Sequence, residues 1–287
     1  MSRPTGVAAL GLAFGASVAW GGSDFLAGVA SRRLGVLTVL ALSQAGGLAV
    51  LLVLLAASGQ PPPSAGAAVV AAGAGLAELV GFATLYRSLA RGPMGLVAPL
   101  SSLGAVVPVV VALTAGERPG ALTAAGLAVA LGGAALVAVE PRGDGGLARL
   151  VPGAALGAAS ALAFGAFFVA MNSAADGGGA VWAVSVNRAT SVSDLVAVVL
   201  LTGRGRAWGL RDLRAVGAVG VLDAGANALF AVALTEGLAS TVSVIGSLYP
   251  VTTVLLAAVV LHERPARPQA FGVVCVLAGV ALVAAGG

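Results

Sequence analysis

Two carboxylates, Glu78 and Asp223, stand 145 residues apart in otherwise apolar stretches, and their flanks repeat: Leu76-Ala77-Glu78 falls on Val221-Leu222-Asp223. A charge at the centre of a membrane span costs about 2.5–3.5 kcal/mol on the most lenient insertion scales. A chain that carries this cost twice, at equivalent places, is using it. Low dielectric penalises the ionised form of a carboxyl, so a midplane acid can load and release a proton while a solute is carried. Glu78 and Asp223 are therefore expected to couple protons and to bind substrate. The bland alternative is a neutral or Arg-paired carboxyl that only ties helices together.

Polar groups elsewhere in the apolar stretches are few. Arg188 is the one basic residue well inside a span, and Asp194, six positions on, lies on another face of the same helix. Its partner must come from another helix, with Asp223, Glu78 and Asp24 as candidates. A free Arg188 would instead grip an anionic substrate group, or snorkel to the interface. Trp20 and Asp24 are four apart and share one helix face. They could receive a cationic or flat apolar ligand, or form an interfacial anchor with a helix-end acid. Asn227, four after Asp223, shares its face. Ser102, Ser247 and Tyr249 surround the helix breaks expected at Pro99, Pro108 and Pro250, where they either repair a freed carbonyl or meet a ligand. All of these residues are candidates for the substrate site. Glu117 and Glu263 each precede a Pro at a helix start, where a carboxylate is expected to stabilise the orphan N–H groups of that helix.

What must position these groups follows from composition. The chain of 287 residues is 59% hydrophobic and 9% charged, with a mean hydropathy of +1.05. A soluble domain carries roughly 25% charged residues, so this is an integral membrane protein. At about 20 apolar residues per span, the chain reads as ten helices near 7–29, 35–57, 66–88, 94–115, 120–139, 151–172, 180–202, 213–235, 239–261 and 267–286. The first is too long for a signal-peptide core and reads as a retained span. The fold class is an all-α polytopic membrane protein.

The ten spans divide into two halves of five, residues 1–143 and 144–287. Glu117-Arg118-Pro119, followed by Gly126 and Gly133, recurs as Glu263-Arg264-Pro265, followed by Gly272 and Gly279. Glycines seven apart keep nearly one helix face and mark a seam for close helix packing, within the chain or between two copies. An odd number of spans per half inverts the second half relative to the first, the arrangement from which many secondary carriers build alternating gates.

These motifs carry a resemblance. Arg91-Gly92-Pro93-Met94-Gly95-Leu96-Val97-Ala98-Pro99-Leu100 with Gly116-Glu117-Arg118-Pro119, and Glu236-Gly237-Leu238 through Tyr249-Pro250 to His262-Glu263-Arg264-Pro265, are similar to the end of an EamA repeat. Ala19-Trp20-Gly21-Gly22-Ser23-Asp24-Phe25 is similar to the family's first span. The resemblance covers essentially the whole chain in two copies. It implies the drug/metabolite transporter superfamily: ten helices, a cavity between the halves, and carriage of a small organic solute, amino-acid-like or drug-like, by proton-coupled efflux or exchange. A passive channel or a non-transporting scaffold is the alternative. The resemblance leaves the solute open.

All fifteen basic residues are Arg, which excludes a phosphate-gripping Gly-Lys loop. One His and one Cys leave no multi-ligand metal site, and an intramembrane enzyme lacks a nucleophile–base pair, so neither cofactor nor metal is expected. The net charge of +4 is spread over membrane-flanking loops and does not point to nucleic acid. The expected partners are a small-molecule substrate and the bilayer of the plasma or inner membrane, with the protein as monomer or homodimer. Odd-numbered connections hold twelve Arg, which by the positive-inside rule puts both termini outside, whereas the resemblance implies cytoplasmic termini.

Overall fold

A computed structural model describes residues 7–59, 61–114, 120–140, 149–178, 180–203, 209–236, 245–246 and 248–286. The first half comprises α1 (Val7–Leu34), α2 (Val36–Ser58), α3 (Ala65–Arg91), a broken span and α6 (Ala121–Ala138). The broken span is α4 (Met94–Ser101), a 3₁₀ turn (Ser102–Ala105) and α5 (Val106–Thr114). The second half comprises α7 (Ala154–Gly178), α8 (Ala180–Thr202), α9 (Leu210–Glu236), α10 (Tyr249–Val260) and α11 (Arg267–Gly286). Between the halves a short antiparallel pair, Val139–Glu140 with Arg149–Leu150, replaces the plain loop that the glycines of this stretch suggest.

Span limits agree with the hydropathy reading to within a few residues, with α1 and α7 running on to Leu34 and Gly178. The expected start of the ninth span, residues 239–244, lies outside the described residues, as does 247; residues 245–246 are helical and α10 follows from Tyr249. Pro250 occupies the first turn of α10, where its missing N–H costs nothing. Among the described residues, five helices are long and apolar enough to cross a bilayer by themselves. Phe14, Leu131, Leu201 and Val259 are exposed, as lipid-facing side chains of a membrane protein should be.

The helices pair across the halves rather than within them. α1 packs along α9 and α3 along α7, which is one pairing seen twice with the halves exchanged. α2 and α8 meet at the centre, and each also touches the third helix of the opposite half. α6 and α11 form the seam that the seven-spaced glycines announce. A Cβ on Gly133 would stand 2.7 Å from the Gly272 carbonyl oxygen, and one on Gly126 would stand 2.8 Å from that of Gly279. The converse contacts, at 2.8 Å for Gly272 and 2.6 Å for Gly279, are equally tight. The seam thus packs within one chain, antiparallel, at a distance only glycine permits.

The end of α4 is repaired locally. Pro99 lies inside α4 and lacks the N–H that would bond the Gly95 carbonyl one turn back. Ser101 Oγ donates to the Ala98 carbonyl at 2.7 Å and Ser102 Oγ to the Pro99 carbonyl at 2.8 Å, so two acceptors are satisfied where α4 gives way to the 3₁₀ turn.

Candidate functional site

The central charges converge where α2, α3, α8 and α9 meet. Close approach of α3 and α8 is set by Gly75, whose Cβ would lie 2.4 Å from the Asn187 carbonyl oxygen. The contact is pinned by Ser191 Oγ, which donates to the Gly75 carbonyl at 2.7 Å. One turn on from Gly75, Glu78 reaches Arg188 of α8 at 3.5 Å and accepts from Ser191 Oγ at 3.3 Å. The same guanidinium meets Asp223 Oδ2 of α9 at 3.3 Å and donates to Gln44 Oε1 of α2. Side-chain exposure is 5% for Arg188, 7% for Glu78 and 16% for Asp223, so the network is largely buried and opens only at Asp223. Among the described residues, Arg188 Nε has no hydrogen-bond partner. It is a spare buried donor at the heart of the site.

A third carboxyl belongs to this neighbourhood. Asp24 of α1 is 8% exposed and lies within electrostatic reach of Asp223. Tyr86, two turns beyond Glu78 on the same face of α3, is buried within reach of Asp24, Asp223, Arg188 and Glu78. Phe82 stands between Glu78 and Tyr86 in sequence and packs its ring on those of Tyr86 and Phe164, at 5.5 and 5.1 Å. Trp20 packs on Phe230 at 5.1 Å and edge-on to Tyr249 at 6.5 Å. The Tyr249 side chain lies close to Ser101. An aromatic wall formed by α1, α9 and α10 therefore adjoins an acidic, Arg-centred hub. Two carboxyls meet one guanidinium and a third, Asp24, lies within reach of Asp223, an excess of two negative charges when all are ionised.

The sequence-derived candidates are distributed unevenly. Glu78, Arg188 and Asp223 are brought into contact, with Asp24 close by. Asn227 donates back to the Asp223 carbonyl at 2.8 Å, a bond within its own helix, and Ser102 is engaged in the repair at Pro99. Ser247 lies outside the described residues. Gln44, Ser191 and Tyr86 complete the hub without having been singled out as site residues. Ser191 is three positions from Arg188 and Tyr86 eight from Glu78, helical spacings that place each on the face of a charged residue.

A second polar contact joins the halves near one membrane surface. Glu263 does not cap the helix it precedes. Its Oε1 and Oε2 accept from the backbone N–H groups of Met94 and Gly95, at 2.9 and 2.8 Å, and so cap α4 of the other half. The aim comes from the end of α10. His262 adopts φ 55°, and both Leu261 N and Glu263 N bond back to the Ala257 carbonyl, a left-handed helix stop that turns Glu263 outward. Arg32 completes the clasp: it donates to the Leu89 and Gly92 carbonyls at 3.0 and 3.2 Å and stands 3.9 Å from Glu263. Glu117 lies outside the described residues.

Comparison with known proteins places this architecture. A model of the EamA-like transporter family matches residues 7–139 and again 151–285. The chain belongs to the EamA-like transporter family. It is thus a multi-pass membrane transporter of small molecules built from two repeats. No curated protein matches it. A solved structure described as the crystal structure of a protein shares the fold with a TM-score of 0.64 at 23% identity, over 96% of this chain and 95% of that one.

Proposed function

We propose that this EamA-like transporter is a proton-coupled secondary carrier that exports or exchanges an amino-acid-like or cationic organic solute across the plasma or inner membrane. The observation that carries the proposal is the charge count of the hub: Asp24, Glu78 and Asp223 against Arg188 alone. Uncompensated charge in the low-dielectric interior is costly, so protons or a solute ammonium group must balance the excess acids. Exchange of one for the other is coupling. The unpartnered Arg188 Nε supplies a donor for a solute carboxylate, and the Trp20–Tyr249 wall an apolar surface beside the acids. The pairing of α1 with α9 and α3 with α7 supports rocking of the repeats 1–143 and 144–287 about the hub, with the Glu263 clasp closing one side.

The test is counterflow in liposomes with amino acids and organic cations under an imposed pH gradient. A carrier shows trans-stimulation; a channel or scaffold does not. Asp223→Asn and Glu78→Gln should abolish the response to the gradient while leaving the protein folded. A gradient response unchanged in both variants ends the proton role.

A further inference from the structure

We infer that the turn between α1 and α2, with the end of α3, binds the phosphate headgroup of an anionic phospholipid. A pocket of about 400 Å³ opens here, apart from the hub. Its polar lining is cationic or donor: Arg87 and Arg91 of α3, Ser31 of α1, and the first residues of α2. No acid lines it.

Three independent features converge on an anion. The first is the N-terminus of α2, a 23-residue helix whose N-cap Gly35, at φ 83°, offers no side chain to its orphan N–H groups. Such an end carries partial positive charge and presents donors to a phosphate. The second is Ser31. It is 5% exposed, it lines the pocket, and among the described residues its hydroxyl has no hydrogen-bond partner. A buried hydroxyl left unpaired is costly, a cost that an acceptor oxygen in the pocket would relieve. The third is the pair Arg87 and Arg91. They lie one turn apart on one face, where like charges repel, and neither forms a salt bridge among the described residues. A shared phosphate converts that repulsion into two charge-assisted contacts.

The remaining lining, Leu34, Leu37 and Ala90, is apolar, and the pocket sits at helix ends, the level of a lipid headgroup. This combination favours a phospholipid over free phosphate. Ser31 adjoins Arg32 of the Glu263 clasp, so a seated headgroup steadies the turn from which the clasp is built.

Purified protein is titrated with phosphatidylglycerol, phosphatidylcholine or inorganic phosphate, and lipid retention is read by native mass spectrometry alongside melting temperature. Phosphatidylglycerol should be retained and should raise the melting temperature; phosphatidylcholine should do neither. The double variant Arg87→Gln/Arg91→Gln should weaken phosphatidylglycerol binding by about tenfold or more, some 1.4 kcal/mol. Arg264→Gln/Arg267→Gln, which removes the same charge outside the pocket, should leave binding unchanged. Equal retention of phosphatidylcholine overturns the inference, as does equal loss in the two double variants. Stabilisation by inorganic phosphate matching that by phosphatidylglycerol overturns the lipid assignment.

Discussion

The glycine seam and the charged hub are both products of the same duplication, and they have kept its symmetry to different degrees. In the seam the relation is reciprocal: Gly126 meets Gly279 and Gly133 meets Gly272, from either side, at equivalent distances. In the hub it is broken. The third helix of one half offers Glu78 and that of the other Asp223, but a single Arg188 on α8 serves both, and α2 answers it only with the neutral Gln44. Packing of bare backbone tolerates exact duplication because it needs only the absence of side chains. A site that must distinguish one solute, or one proton state, from another needs unequal groups. The difference separates what holds the halves together from what they carry.

The sharpest way to break that distinction is Arg188→Gln. It strands Glu78 and Asp223 without their counter-charge, and loss of one partner from a buried ion pair costs about 3–5 kcal/mol. Thermal unfolding should register the loss and counterflow should vanish. Adding Glu78→Gln to it should recover much of the stability and none of the transport. An unchanged melting temperature in the single variant would mean that the hub contributes nothing to the fold.

Gly133→Val probes the other region. Its side chain would collide with the Gly272 backbone, and overpacking of this kind costs about 1–3 kcal/mol. The folded fraction should keep the transport selectivity and pH response of the parent, since the hub is untouched. A changed selectivity would show that the seam is part of the site.

The clasp lies between these extremes, a contact across the halves that is polar yet remote from the hub. Glu263→Gln leaves the shape and removes the charge from the α4 N-terminus, a loss of about 1 kcal/mol. With Cys275→Ala as background, a cysteine at Ala98, one turn inside α4, should react faster with a polar thiol reagent in the Glu263→Gln variant. Equal rates would make the contact a static cap. The smallest effect is expected at His262, where φ 55° favours glycine. His262→Gly should stabilise by up to about 1 kcal/mol, read as a higher melting temperature. The first repeat has Gly116 at the corresponding place.

Much of this was legible in order of residues alone. Ten apolar stretches, the repeated Glu-Arg-Pro and the glycines spaced by seven specify the spans, their duplication and the face on which α6 and α11 meet. Those signals are local or periodic, and a bilayer makes them reliable by forbidding unsatisfied backbone in its interior. The midplane charges were conspicuous for the same reason. Their partners were not: Arg188 had three candidate acids, Glu263 was placed on its own helix, Gln44 read as an amide that bonds across helices or lines a cavity with no partner named, and Ser191 and Tyr86 looked like ordinary polar residues.

The sequence by itself determined that this chain crosses a membrane as two related sets of helices and that a few charges lie deep within them, because hydropathy and period act along the chain. Only the tertiary structure decided that one guanidinium serves acids from both halves and that Glu263 caps a helix 169 residues away in the chain. Those choices depend on which helix faces which across the bundle, a geometry fixed by side-chain fit between distant segments and invisible to any local pattern.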